Sequence, residues 1–243
     1  MIIKLYNGEV EIDFKEVQHS YWYKLDTGKK LRLAGVTKYI SLLDKPALIR
    51  WAVNCAIDHI KENMNDSQNP LSLVEEARYK HDEIKKDSAR KGNEIHGWIE
   101  TYIKTKEREM PPSEDTTMAV IGLYEWILNE KILDSEKIVF SKKHLFVGTL
   151  DLIIEREGKK WLVDIKTGNG NKIYPEMVLQ LSAYKGAYEE ELGKIEGCMI
   201  LQVDKETGEV TEHIVECNKE DYKTFLDIKK VYEWKKATEK KLK

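Results

Sequence analysis

The spacing of hydrophobic residues changes along the chain, and its first part has the pattern of strands. Within roughly residues 1–40, the segments VQHSYWYKL and LRLAGV are rich in β-branched and aromatic residues and flank a turn signal at Asp26-Thr27-Gly28. After the break at Pro46, the segment ALIRWAVNCAIDHI carries apolar residues at helical spacing. We therefore expect an N-terminal β-hairpin followed by a helix.

Helical spacing dominates the next part of the chain. A long, highly charged helix is predicted from about Leu71, with an interruption near Lys91-Gly92-Asn93, where a second helix begins. The second helix has an apolar stripe, which is formed by Ile95, Trp98, Ile99, Tyr102 and Ile103. The segment MAVIGLYEWILNE predicts a further helix before the pattern changes.

The pattern becomes extended from Glu136 onward. The segments EKIVFS, HLFVGTLDLIIE and KKWLVDIKT predict three consecutive strands. A loop, GNGNKIYP, leads to Pro175, which suits the first turn of a helix over EMVLQLSAYKGAYEEE. The segments CMILQV and VTEHIVE predict two more strands before a charged helix from Asn218. The order helix, three strands, helix, strand indicates an α/β fold with a mixed sheet.

Composition limits the kinds of protein that this chain can be. With 243 residues and 41% hydrophobic content, it can bury a core as one domain, which we divide into an N-terminal elaboration (1–90), a central core (91–204) and a C-terminal strand and helix (205–243). Charged residues make up 34% of the chain, yet the net charge is only −3. A strongly basic surface is thereby excluded, so any contact with nucleic acid must come from a local patch.

The sequence also favours a particular compartment. No apolar run approaches the roughly 18 residues of a membrane span, and the first residues lack the pattern of a secretory signal. The three cysteines, Cys55, Cys198 and Cys217, are too few and too scattered for a disulfide framework or a CxxC zinc site. We therefore expect a cytoplasmic protein in a reducing compartment, with no membrane partner.

One hairpin carries the strongest chemical signal in the chain. If Glu157-Gly158 forms its turn, Arg156 faces Lys159 and, further along the same register, Asp151 faces Asp164. Two carboxylates that lie directly opposite each other repel, and a sheet gains nothing from that arrangement. A divalent cation removes the conflict, because hard cations such as Mg²⁺ prefer oxygen ligands.

Lys166 lies two residues beyond Asp164 and so shares its face of the strand. It could hold a water or an anionic oxygen beside the metal, and metal, water and cation are the parts needed to hydrolyse a phosphodiester. The hairpin alone leaves a structural reading open. Asp-x-Lys is common in strands, and a slip of one residue in the register would separate the two carboxylates.

A wider set of motifs resembles a known family. The stretch GTLDLIIEREGKKWLVDIKTG is similar to the G-x-x-D … D-x-K core of the PD-(D/E)XK nucleases. His96 on the preceding helix, and Gln180 with Tyr184 on the following one, resemble the RecB-like branch of that superfamily. These motifs cover about residues 90–204, and the N-terminal segment resembles phage and mitochondrial exonucleases of the same branch.

The resemblance implies a fold, a cofactor and a set of site residues. The fold would be a restriction-endonuclease-like core of helix, three-stranded meander, helix and strand. Asp151, Asp164, His96 and the main-chain carbonyl of Ile165 would bind Mg²⁺ or Mn²⁺. Catalysis would fall to the two aspartates with Lys166, which would orient the attacking water and stabilise charge. An iron–sulfur cluster, which some members carry, needs four cysteine ligands, and this chain has three cysteines.

Other residues keep a second interpretation beside the one that the resemblance implies. Gln180 and Tyr184 would bind substrate, although a tyrosine on such a helix can simply pack on the sheet. Without the family resemblance, His96 would be interpreted as a histidine that lies on a helix beside the buried apolar stripe. Glu100, one turn further on, is either a partner that orients His96 or a solvated glutamate. Glu136 opens the first strand of the meander and is set aside as a weaker candidate.

The resemblance implies a DNA exonuclease that acts on ends or single strands in replication, recombination or repair. A structure- or sequence-specific endonuclease on the same core is the alternative among enzymes. A non-catalytic nucleic-acid-binding module is the alternative outside them, and such a module would be expected to lose Asp164 or Lys166. Aromatic residues and lysines of the first 50 residues, among them Tyr21 and Lys38, either contact DNA or pack on the core.

Overall fold

The protein is described by a computed structural model that covers residues 1–15, 18, 20–25, 27–65, 69–168 and 172–242. Its strands form two sheets, one of four strands and one of five. The four-stranded sheet contains β1 (Ile2–Leu5), β2 (Val10–Lys15), β3 (Ser20–Lys24) and β4 (Lys30–Leu33). The five-stranded sheet contains β5 (Lys131–Ser141), β6 (Phe146–Arg156), β7 (Lys159–Gly168), β8 (Gly197–Asp204) and β9 (Val210–Val215).

Six α-helices accompany these sheets in the described part of the chain. They are α1 (Val36–Ile40), α2 (Pro46–Asn63), α3 (Pro70–Thr105), α4 (Thr117–Leu128), α5 (Pro175–Glu191) and α6 (Lys219–Lys241). Within the same residues, none of the helices combines the length and apolar character needed to cross a membrane.

The five-stranded sheet is mixed. Strands β5, β6 and β7 form an antiparallel meander, β8 lies parallel to β7, and β9 returns antiparallel along β8. The parallel pair requires a crossover, which α5 provides. The fold is therefore a mixed α/β arrangement, as the order of predicted elements indicates.

Helices cover both faces of this sheet because its strands alternate buried side chains toward each side. On one face, Ile95 of α3 and Leu123 of α4 pack with Leu152 and Val163 of the sheet. On the other face, α5 packs with Ile153 and neighbouring apolar residues. Both faces are apolar, which fits a sheet with a parallel pair.

The N-terminal sheet packs against the end of the meander. Val10 and Tyr23 share a buried cluster with Phe140 and Val147 of the five-stranded sheet. The chain leaving β4 also forms a parallel backbone bridge between Gly35 and Val147. The segment that follows, α1, is thereby fixed beside β6.

The last helix holds α1 from the other side. The ring of Tyr39 in α1 lies 6.0 Å from that of Phe225 and 5.2 Å from that of Tyr232, both in edge-on geometry. Phe225 is fully buried. Such aromatic pairs contribute on the order of 1 kcal/mol beyond their buried area, so α6 stabilises the position of α1.

Some expectations from the sequence were wrong in detail. Helix α3 runs unbroken through Gly92 for 36 residues instead of ending there. A Cβ at Gly92 would lie 3.2 Å from Thr167 Oγ1, so this glycine permits close approach to β7 and does not mark a break. Strand β5 begins at Lys131 and not at Glu136. The sequence pattern did not indicate this start because a bulge after Ile132 interrupts the alternation of the strand.

The N-terminal hairpin is also larger than expected, since it is two strands of a four-stranded sheet. The rest of its predicted turn is described, but Asp26 lies outside the described residues. The predicted loop after β7 includes residues 169–171, which lie outside them as well.

Candidate metal centre

Three neighbouring strands each bring a carboxylate to the same level of the sheet. The predicted hairpin forms: Arg156 pairs with Lys159, and the turn residues Glu157 and Gly158 both have positive φ. The paired residues of this hairpin end at Leu152 and Val163. Asp151 and Asp164 are the next two positions in the same register.

On the other side of β6, the register of β5 sets Glu136 opposite Asp151. Asp151 therefore lies between two other carboxylates. A main-chain contact fixes its orientation, because the Ile165 N–H donates a hydrogen bond to Asp151 Oδ2 at 2.6 Å. Ile165 enters the site through its backbone, and its carbonyl stays a predicted ligand.

His96 completes a cluster whose chemistry suits a metal. One ligand atom each from His96, Glu136 and Asp151 can be chosen so that all lie within 4.8 Å of one another. Nδ1 of His96 is 3.9 Å from Glu136 Oε1. The set consists of two carboxylates and one imidazole, which are donors that divalent Mg²⁺, Mn²⁺ or a similar ion accepts.

Glu136, which the sequence analysis set aside as a weaker candidate, belongs to this cluster. Its backbone has φ of 46°, a left-handed conformation that is uncommon outside glycine. Strain of this kind persists where the surrounding structure imposes it, often at functional sites. Glu100, considered as a partner of His96, pairs with Lys104 instead, and Glu136 takes the place beside the imidazole.

Asp164 is the most enclosed carboxylate of the group, with 1% of the residue exposed. Neither of its oxygens accepts a hydrogen bond from a described residue. The ammonium of Lys166 lies 2.5 Å from Asp164 Oδ2 and forms an ion pair with it, which leaves Asp164 Oδ1 without a described partner. A buried carboxylate costs free energy unless something satisfies it, and a metal ion would do so.

The electrostatics of the cluster are those of carboxylates in a low dielectric. Burial raises the pKa of Asp164 to about 6; Lys166 opposes this shift and the nearby Asp151 adds to it. Burial also raises the pKa of Asp151 against the opposing charges of His96 and Lys166, while Glu136 adds to the rise. The site thus holds excess negative charge for a cation to neutralise.

The two basic groups respond in the opposite way. Burial disfavours the protonated His96 ring, but the Glu136 carboxylate, which accepts from that ring, and the charge of Asp151 outweigh it, so the pKa of His96 is raised. For Lys166, burial is likewise outweighed by Asp164 and Asp151, and its pKa is raised as well. Lys166 is therefore an ammonium at neutral pH.

A line of hydrogen bonds connects the site to α5. Lys166 Nζ donates to Gln180 Oε1 at 3.3 Å, and Gln180 Nε2 donates to the Tyr184 hydroxyl at 3.1 Å. Tyr184 lies across β6 at Gly148, where a Cβ would overlap its ring. Packing against Tyr184 thus explains why the G-x-x-D motif has a glycine at this position. Helix α5 also brings Gln180 within hydrogen-bond distance of Lys166.

Comparisons with known proteins give no family. No protein-family model and no curated protein matches the chain. One solved structure, described as "Crystal structure of SSO0001", is similar with a TM-score of 0.35 and 14% identity over 76% of this chain and 84% of the other. An alkaline exonuclease from Laribacter hongkongensis is similar with a TM-score of 0.34 and 14% identity over 61% of this chain and 84% of its own. Likenesses this distant carry no argument about function.

Proposed function

We propose that this chain is a metal-dependent nuclease that hydrolyses phosphodiester bonds in DNA. One observation carries the proposal: His96, Glu136 and Asp151 offer ligand atoms within 4.8 Å of one another, and the buried Asp164, paired with Lys166, interacts electrostatically with Asp151 and His96. A structural role does not require such a concentration of like charge. Rules of sheet pairing that are broken inside a well-patterned fold tend to mark function.

His96, Glu136, Asp151 and Asp164 are the residues that would hold the metal, together with the carbonyl of Ile165. Bound there, Mg²⁺ or Mn²⁺ would supply a Lewis acid for the phosphate and lower the pKa of a bound water. The site supports this assignment because its ligand atoms are oxygens and one imidazole nitrogen, with no sulfur.

Lys166 would act on the reacting phosphate and on the attacking water. Its ammonium lies beside Asp164 and donates to Gln180, so it is held at the edge of the metal ligands. There it would orient the water and offset charge that develops on the scissile phosphate. Gln180 would position Lys166, and Tyr184 would in turn support Gln180.

Within this activity, we propose an exonuclease that acts on DNA ends or single strands, with a role in replication, recombination or repair. An endonuclease on the same core is the alternative. A non-catalytic binding module fits less well, because binding alone does not need an aspartate as buried as Asp164 beside the Lys166 ammonium.

Digestion of labelled DNA tests the proposal. Linear single strands, linear duplexes and circular forms of each would be incubated with Mg²⁺, Mn²⁺, Ca²⁺ or EDTA, beside the Asp164→Asn variant. We expect cleavage of linear substrates in Mg²⁺ or Mn²⁺, none in EDTA and none by the variant. Cleavage of circles would favour the endonuclease, and a lack of cleavage in every ion would overturn the proposal.

A further inference from the structure

Two cavities lie on either side of α1, next to residues of the candidate site. The first, which we call the distal arm, has a volume of about 680 Å³ and lies between β3, β4 and β6. The second, the proximal arm, has a volume of about 670 Å³ and lies between the segment after α1 and α5. Thr37 lines both arms.

The arms are connected through the residues of the candidate site. Lys166 and Gln180 line the proximal arm, while Tyr184 and Gly148 line the distal one. The hydrogen bond between Gln180 and Tyr184 therefore runs from one arm to the other. A polymer that is cut beside Lys166 would extend into the distal arm.

The distal arm differs in its charge from four other cavities of the protein. Arg32 and Lys38 line it, and no carboxylate does. Each of those four cavities is lined by at least one Asp or Glu. On a chain with a net charge of −3, two cations without an acid form the local basic patch that phosphate binding needs.

The polar groups of the distal arm are available to a ligand. Neither Arg32 nor Lys38 forms an ion pair with a described residue, and Arg32 lies over the ring of Trp22, 5.9 Å from its centre. Ser20, which also lines the arm, is 4% exposed, and its hydroxyl has no hydrogen-bond partner among the described residues. Buried polar groups in folded proteins have partners as a rule, so the Ser20 hydroxyl at the wall of the arm calls for one.

We propose that the distal arm binds the backbone of a single strand of nucleic acid on one side of the scissile bond, with Arg32 and Lys38 contacting its phosphates and Ser20 donating to it. This inference rests on the proposed function and specifies its substrate. Arg32 and Lys38 are binding residues in it and take no part in the hydrolysis.

The size and walls of the arm favour a single strand over a duplex. Ligand cavities of roughly 300–1,000 Å³ fit groups on the scale of one or two nucleotides. The wall is closed where the Tyr21 hydroxyl meets Thr149 Oγ1 at 3.0 Å, beside the backbone bridge between Gly35 and Val147. We therefore expect the arm to take a single strand.

A pair of double variants tests this assignment. In Arg32→Gln/Lys38→Gln the arm loses both cations. In the control, Lys4→Gln/Lys29→Gln, the N-terminal sheet and the turn before β4 lose two exposed cations that do not line the arm. Binding of a fluorescent oligothymidine of about 12 nucleotides and of a blunt duplex would be measured in Ca²⁺ against salt concentration.

We expect the arm variant to bind the single strand at least about tenfold more weakly than the control. The slope of log K against log salt concentration should be smaller in magnitude by about 1.4, because two phosphate contacts are lost. Duplex binding should change no more than in the control. Equal single-strand binding by both variants, or equal losses on strand and duplex, would overturn the inference.

A small diester, thymidine 5′-p-nitrophenyl phosphate, separates the two proposals because it cannot reach the distal arm. The arm variant should hydrolyse it in Mn²⁺ as the parent does. If the parent hydrolyses it but the oligothymidine result fails, only the inference is wrong. If neither diester nor DNA is cut while the arm variant alone loses oligothymidine binding, the proposed hydrolysis is wrong and the arm remains a single-strand site.

Discussion

At the scale of single residues, Glu136 is the side chain whose role is easiest to separate from its surroundings. Asp134 lies two positions earlier on β5 and pairs with Lys137 outside the cluster. We expect Glu136→Gln to weaken Mn²⁺ binding by about 10- to 100-fold, because a ligand oxygen loses its charge. Asp134→Asn should leave it unchanged. Titration calorimetry on the two variants measures this, and equal affinities would remove Glu136 from the metal site.

Because the pKa values of the buried carboxyl groups are raised, we expect the stabilisation of the fold by a bound metal ion to depend on pH. The pKa of Asp164 rises from 3.8 to about 6, so the folded, metal-free protein holds its proton more tightly than the unfolded chain does. This group therefore favours folding below its ordinary pKa and loses that contribution as the pH rises through about 6. Protonated His96 also competes with metal at low pH.

It follows that divalent metal should raise the melting temperature more in alkaline than in acidic solution. We expect an increase of several degrees at about pH 8, and less than about 1 °C at about pH 5, when Mg²⁺ replaces EDTA. Differential scanning fluorimetry across this range measures it. An increase that is the same at both pH values would contradict the pKa directions on which the prediction depends.

Lys166 provides the prediction that distinguishes catalysis from binding. Lys166→Ala should lower the single-turnover rate of DNA cleavage by at least about a hundredfold, on the order of 3 kcal/mol of barrier. Affinity for DNA should fall far less, since one lysine is one of several phosphate contacts. Lys166→Arg should not restore the rate, because a planar guanidinium does not replace a compact ammonium. Normal cleavage at saturating DNA would show that Lys166 only docks the substrate.

At the scale of elements, the contact between β6 and α5 determines where Gln180 lies. Gly148→Ala would push the Tyr184 ring away from the strand. We expect a loss of about 1–3 kcal/mol in unfolding free energy, as for other overpacked positions. Tyr184→Ala in the same chain should recover part of it, because the two changes share one contact. Urea unfolding of both single variants and the double variant measures the coupling, and strictly additive effects would contradict this packing.

The elements also show what the sequence could and could not predict. The hairpin at Glu157-Gly158 was predictable because a two-residue turn fixes the register of both strands, and the pairing of Arg156 with Lys159 confirms it. The break at Gly92 was wrong because a distant contact with Thr167 explains that glycine. Local propensity gives no information about such contacts.

The site shows the same division. The positions of Asp151 and Asp164 follow from the hairpin register, and that of Lys166 follows from its place on the strand, while their roles stay predictions. Glu136 was set aside as a weaker candidate, since the bulge after Ile132 conceals where β5 begins and its position opposite Asp151 did not follow from the pattern. Had the strand been extended back to Lys131, the third carboxylate in the row would have been a signal.

At the scale of the whole molecule, α2 and the first half of α3 form a helical hairpin that is less buried than the rest. Helix α2 packs against α3 and contributes no fully buried residue, whereas Ile95, Trp98 and Ile99 of α3 are in the core. Local stability follows buried apolar contacts. We expect amides of residues 71–88 to exchange faster than those of 95–103 by at least about tenfold. Hydrogen exchange with mass spectrometry measures this, and uniform protection along α3 would contradict it.

The packing of α6 on α1 has a consequence for the order in which the protein becomes competent. Helix α1 forms the partition between the two arms, and its Tyr39 is held by Phe225 and Tyr232, nearly two hundred positions later in the chain. At roughly 5–20 residues per second on the ribosome, every candidate metal ligand is synthesised before this support exists. A nascent chain that lacks α6 has the carboxylates but not the fixed partition. Under the proposed function, we therefore expect the carboxylate cluster to be made first and the walls that would hold a strand beside it to be fixed only once α6 has packed.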